Sequence, residues 1–224
     1  MQILYHILNQ RQNIAAERVF SPAEDMEALL RESRQPLVSL ESKYPLNRFD
    51  IIGFSLLYEL NYTNMLTMLD LADVPFYASQ RGPSDPLVIA GGPCVSNPEP
   101  VADFFDAIVI GDGENVILEM ADIRIEMKRG GAADKKDLLR EWSKLEGVYV
   151  PAAFKVLYDE KGHQTVHHVN GHGPTDMPRV RRAIVSDLNQ ALFPDMPVVP
   201  YGKPVHDRLR LEVSRGCKIG RAHV

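Results

Sequence analysis

Cysteine is scarce: the 224 residues carry only Cys94 and Cys217. Two thiols make no disulfide framework, which excludes a stapled secreted scaffold and sets a reducing, cytoplasmic home as the expectation. Long apolar runs are missing too. No stretch approaches the roughly 20 residues of a membrane span, and no charged-then-apolar leader opens the chain, so no membrane partner is expected. Basic blocks are also lacking. Lys and Arg number 25 against 30 Asp and Glu, and the net charge of −5 argues against nucleic acid as the main partner. What remains is ordinary for a globular protein, with 45% hydrophobic and 25% charged residues. The length allows one domain or one and a half.

The organising stretch is residues 86–117, PLVIAGGPCVSNPEPVADFFDAIVIGDGENVI. Two apolar runs, 87–90 and 107–110, each end in a glycine loop, Gly91-Gly92-Pro93 and Gly111-Asp112-Gly113-Glu114. Unbroken aliphatic runs suit strands covered on both faces, as in a parallel sheet. Between them is room for one short helix from near Pro98, carrying Val101, Phe104 and Phe105 toward the sheet. Both loops then fall at strand C-termini, where open α/β sheets bind ligands. The glycines read either as a close-approach cradle for a ligand or as tight turns only.

Residues 1–10 place Ile3, Leu4, Ile7 and Leu8 on one helical face, with His6 beside that stripe as a core or boundary residue. A helix first is odd for a sheet built of βαβ units, so either a strand is missing or this helix packs differently. Residues 16–20 read as a short strand, Ser21-Pro22-Ala23-Glu24 as a capping box, and Met26, Leu29 and Leu30 as the inward face of the next helix. A small strand is expected at 37–40. Residues 50–57 are a further buried strand, followed by a helix with Met65, Met68, Leu69 and Ala72 inward as core filling. Ser55 and Leu56 fall where that strand ends, on the same sheet edge as the glycine loops.

A helix is expected from Glu114 to about Arg129, closed by Gly130-Gly131, and another over 134–145 with Leu138, Leu139, Trp142 and Leu145 on one side. Residues 147–152 and 154–158 are extended, and 164–169 return as the second arm of a hairpin. His163, His167, His168 and His172 cluster there, but adjacent strand residues face opposite ways, so they read as hairpin residues and not a metal site. From residue 171 the chain is rich in proline (Pro174, Pro178, Pro194, Pro197, Pro200, Pro204), a linker pattern. It leads to RLRLEVS at 208–214, a strand pattern ending in Arg215-Gly216-Cys217.

LEVSRGC at 211–217, preceded by VPYGKPVHDR, resembles the first barrel strand of a radical SAM core, which ends at the first cysteine of a C-x-x-x-C-x-x-C loop. The upstream chain resembles the cobalamin-binding-type domain often fused before that core. The matching lines are AERVFSPAEDMEALLR, FDIIGFSLLYELNYTNMLTMLDLA, LVIAGGPCVSNPEPVADFFDAIVIGDGEN and GVYVP. The resemblance implies an α/β fold: an open, mostly parallel Rossmann/flavodoxin-like sheet, its first strand missing, followed by a helix, a β-hairpin and a proline-rich linker. It divides the chain into a cobalamin-binding-type domain incomplete at its N-terminus (1–130), a helix plus hairpin (131–172), a linker (173–207), the first strand of a truncated core (208–217) and a non-native tail (218–224).

The resemblance also implies a 4Fe-4S cluster, with Cys217 as one metal ligand, and S-adenosylmethionine on the open iron, cleaved by one electron to a 5′-deoxyadenosyl radical. The family pattern needs cysteines four and seven positions after the first, and here those are Arg221 and Val224. The ending IGRAHV resembles a translated sequencing adapter, so the chain is expected to be an inactive, poorly soluble fragment of a radical SAM enzyme of unknown substrate, lacking its core in cis. Cobalamin is the further cofactor the resemblance suggests, resting on Ser55, Leu56, Gly91, Gly92, Pro93, Gly111, Gly113 and Glu114, although no Asp-x-His-x-x-Gly supplies a lower-axial histidine. Cys94 beside that loop reads as a small buried thiol more than a ligand. Two other readings stay open: a non-enzymatic α/β module holding a nucleotide or corrinoid, and a docking domain.

Overall fold

The computed structural model describes residues 1–131, 134–162, 164–168, 180–194, 202 and 212–215. β1 (Ile51–Ser55), β2 (Leu87–Gly91) and β3 (Ala107–Val109) pair side by side in parallel, and β4 (Val148–Tyr149) adds antiparallel to β3. The result is the expected open, mostly parallel α/β sheet of the Rossmann/flavodoxin-like kind. The apolar runs are unbroken because both faces are covered. Val88, Ala90 and Ile108 enter one core with Met65, Met68 and Leu69 of α3 (Asn61–Leu71). Leu87, Ile89, Ala107 and Val109 enter the other, against Val116 and Met120 of α4 (Glu114–Arg129) and Leu138, Leu139 and Trp142 of α5 (Lys135–Trp142). Trp142 is fully buried and donates its indole N–H to the Met120 carbonyl at 3.0 Å.

One carboxylate ties the other end of the sheet together. Asp106, just before β3, accepts the Val88 N–H at 2.8 Å, and its Oδ2 takes Nε of Arg81 at 3.1 Å. Lys135 Nζ lies 2.7 Å from the other oxygen. Arg81 spends its remaining donors on the carbonyls of Pro75, Phe76 and Phe104. Burial lowers the pKa of Arg81, and the Asp106 carboxylate works against that. A buried charge pair survives only when its remaining hydrogen-bonding capacity is met, as it is here for Arg81.

The first fifty residues depart from the sequence reading. Residues 16–20 and 37–40 form no strands: Leu37 and Leu40 donate single bonds to the carbonyls of Leu71 and Arg18, and Val38 makes one bridge with Pro45. Polar side chains hold this region instead, with Glu41 on Arg18 and Glu17 on Ser42. Such side-chain bonds to nearby backbone offer an alternative to a ladder. α2 (Glu24–Ser33) starts one residue after Ala23 with no side-chain cap; Glu24, Asp25 and Glu27 in its first turn complement the helix dipole. Met26 and Leu29, expected inward, are 50% and 56% exposed, and Leu30 alone of the three packs on the core.

α1 (Gln2–Asn9) lies against α4, buries Ile7, and is tied by Arg11 to Asp122 at 2.6 Å. The connection from β2 to β3 is a 3-10 turn, Glu99–Phe104, that buries Val101, with Phe105 buried just after it. The hairpin is present as β5 (Phe154–Tyr158) and β6 (Gln164–His168). No helix of the described residues is long and apolar enough to cross a membrane.

Two measurements check this arrangement. Asp106→Ala, which leaves Arg81 and Lys135 without their anion, is expected to cost about 3–5 kcal/mol in urea denaturation. Trp142, the single tryptophan, is expected to emit at the blue end of its range in the native state and to shift red in one cooperative step on unfolding.

Candidate functional site

The ends of β1, β2 and β3 lie along one edge, as the strand pairing dictates. Ser55 pairs with Gly91 at the last position of the β1–β2 ladder. The two strands stay joined beyond it, since Leu56 N–H reaches the Gly91 carbonyl at 2.8 Å and Cys94 N–H reaches the Leu56 carbonyl at 3.1 Å. Asn61, at the start of α3, accepts the N–H groups of Leu57 and Tyr58. Ser55, Gly92 and Pro93 are exposed, whereas Leu56 is buried. The large side chains of Leu57, Tyr58 and Leu60 are exposed beside them.

Two of the glycines are required, and the protein's own backbone requires them. Gly92 has φ +110°, and a Cβ there would stand 2.6 Å from the Leu56 carbonyl oxygen. Gly111 also has φ +110°, and its Cβ would stand 2.2 Å from the carbonyl oxygen of Ala183. At Gly91 and Gly113 a Cβ would meet only ordinary contacts, at 3.7 and 3.6 Å. The close approach is therefore made by the chain itself.

Ala183 comes from the region expected to be a linker. It bridges Gly111 in parallel register, donates its N–H to Ile110 at 3.0 Å and accepts from Asp112 N–H at 2.9 Å. Val185 N–H then donates to the Asp112 carboxylate at 2.8 Å. A second segment reaches the same loop. Arg215 lies 3.3 Å from Asp112 Oδ2, bonds Glu114, and is gripped at 2.9 Å by both oxygens of Glu212. These carboxylates hold the Arg215 pKa well above its ordinary value, Glu212 contributing most. Arg215 in return lowers the pKa of Glu212. Residues 212–215 form no strand, and the rest of the expected strand at 208–214 lies outside the described residues.

Cys94 is half-buried, with its sulfur 3.0 Å from the Tyr62 hydroxyl. That bond and partial burial push the Tyr62 pKa up to about 12. Among the described residues no group of three His, Cys, Asp or Glu is placed to hold a metal. His163, His172 and Cys217 lie outside the described residues, while His167 and His168 are neighbours in β6.

A family model described as radical SAM proteins, N-terminal, matches residues 1–151, the span that runs from α1 to β4. The chain belongs to the radical SAM proteins. Neither a curated protein nor a solved structure matches it. A radical SAM cluster needs three thiolates. Positions 221 and 224 hold arginine and valine, so this donor set does not fit a 4Fe-4S cluster, and no chemical step runs through it. At the third edge loop Ala183 stands against Gly111, and Arg215 against Asp112 and Glu114.

The glycine assignments are open to a direct check. Gly92→Ala and Gly111→Ala each combine a left-handed φ with a backbone collision, and each is expected to lower stability by about 1–3 kcal/mol or more. Gly113→Ala is expected to stay within about 0.5 kcal/mol, so chemical denaturation of the three variants separates backbone need from chance glycine.

Proposed function

We propose that the protein acts as part of a radical SAM enzyme: residues 1–151 are the α/β region that precedes the core, and Cys217 is the first of three cluster thiolates. The observation that carries this is the family match over residues 1–151, and Ser-Arg-Gly-Cys at 214–217 supports it at the spacing where a core strand would end. In a form of the protein that carries all three thiolates, Cys217 would hold one iron of the cluster, and the cluster would supply the electron for reductive cleavage of S-adenosylmethionine. The chain of 224 residues, holding one of the three thiolates, is inactive in that reaction on this reading.

For the sheet edge, Ser55, Leu56, Gly91, Gly92 and Pro93 are proposed as the part a ligand reaches, because Ser55, Gly92 and Pro93 are exposed. Gly111, Gly113 and Glu114 are set apart from it, since their loop is engaged by residues 183–185 and Arg215. Hydroxocobalamin is the probe for that edge. Stoichiometric co-elution with the chain on gel filtration supports this edge as a ligand's place, and failure to co-elute overturns it for a corrinoid.

The enzyme reading is tested on a form of the protein that carries all three cluster cysteines. Anaerobic reconstitution with iron and sulfide is expected to give the broad thiolate-to-iron absorption of a 4Fe-4S cluster. Cys217→Ala is expected to abolish it, and Cys94→Ala to leave it intact. A protein that takes up no iron, or one whose cluster survives Cys217→Ala, overturns the proposal.

A further inference from the structure

Asp112 and Glu114 sit on the loop between β3 and α4, the place where an open α/β sheet ordinarily offers backbone N–H groups to a ligand. Here the loop presents carboxylates. Glu114 is only 7% exposed, in the first turn of a 16-residue helix whose positive dipole end favours its charge. Asp112 is oriented by two independent bonds, its N–H to the Ala183 carbonyl and its Oδ2 from Val185 N–H. Both acids then converge on the guanidinium of Arg215, about a hundred residues further along the chain, whose side chain is 21% exposed. A planar guanidinium with five donors can bridge several carboxylates at once, and a lysine ammonium lacks that fork. Glu212 completes the cage from within the same segment as Arg215.

We propose that Asp112 and Glu114 are a docking seat for Arg215, and that this seat fixes the segment leading to Cys217 against the C-terminal edge of the sheet. The loop that sequence reasoning assigned to a cofactor thus binds a cation of the protein's own chain. Arg215 is a positioning residue: it stands two positions before Cys217 and acts through the chain that joins them. That the positioned cysteine is a cluster ligand rests on the proposed radical SAM function; the docking itself does not. A protein that never takes up iron would leave the docking result standing, and an undocked Arg215 would leave the cluster result standing.

Trypsin reads the docking directly, because it must take the Arg215 guanidinium into its own pocket to cut the bond to Gly216. The cleavage rate at Arg215 is followed by mass spectrometry on the full chain and normalised to a free peptide of the same sequence. In Asp112→Asn/Glu114→Gln the rate is expected to rise about fivefold or more, the change that a loss near 1 kcal/mol produces. Glu212→Gln removes only the partner within the segment and is expected to give a smaller rise. Should the double variant not fold, Arg215→Lys carries the test. It leaves the seat intact, keeps a tryptic site and is expected to be cut several-fold faster after the same peptide normalisation. No acceleration in a folded double variant, an equal acceleration in Glu212→Gln, or an unchanged rate in Arg215→Lys overturns the proposal.

Discussion

The fold hangs on the carboxylate of Asp106. It receives the Val88 N–H of β2, the guanidinium of Arg81 and the ammonium of Lys135. Through those partners it joins the start of β2, the start of β3, the connector that follows α3 and the first residue of α5. Both layers flanking the sheet are thereby registered to one point at its N-terminal end. The opposite end is left to be shaped by loops, and every feature of the candidate site lies there. A buried anion with two cationic partners is a demanding device, since loss of any partner strands charge out of water.

Much of this was legible in the sequence, for reasons particular residues make plain. β2 and β3 were readable because residues 87–90 and 107–110 are apolar without interruption, and the structure covers them on both faces. α3, α4 and α5 were readable from Met65, Met68 and Leu69, from the glycines after Arg129, and from the Leu138, Leu139 and Trp142 stripe. Met26 and Leu29 misled because an amphipathic pattern says that a face exists and not that something covers it. Residues 16–20 and 37–40 misled because Glu17, Glu41, Ser39 and Ser42 outcompete a ladder with side-chain bonds. Asp106 was invisible for a different reason: its partners sit 25 and 29 positions away, in a turn-rich connector and at a helix start. An aspartate directly before an unbroken apolar run was the available signal.

The candidate site shows the same division. That the glycine loops share an edge with Ser55 followed from strand order alone. What presses against the glycines did not, because Ala183 lies in a stretch that composition marks as linker. The short apolar triplet at 183–185, between Arg182 and Ser186, was the clue that part of it is docked. Arg215 was overshadowed by the cysteine that follows it. Membership of the radical SAM proteins and the α/β architecture therefore stand on independent grounds, one on the family match and one on the sheet.

Asp112 has a consequence for how the chain can vary in length. A single carboxylate oxygen meets Val185 at one end and Arg215 at the other, so the residues numbered between them form a closed excursion pinned at a common point. Closing such an excursion costs free energy that grows only logarithmically with its size, about 0.6 kcal/mol for each doubling. Closure alone therefore sets little penalty on length changes between residue 185 and Glu212, whereas a one-residue change between Gly111 and Glu114 would break both attachments at once. Homologues should differ freely in the spacing from 185 to 215 and hardly at all in the spacing from 111 to 114.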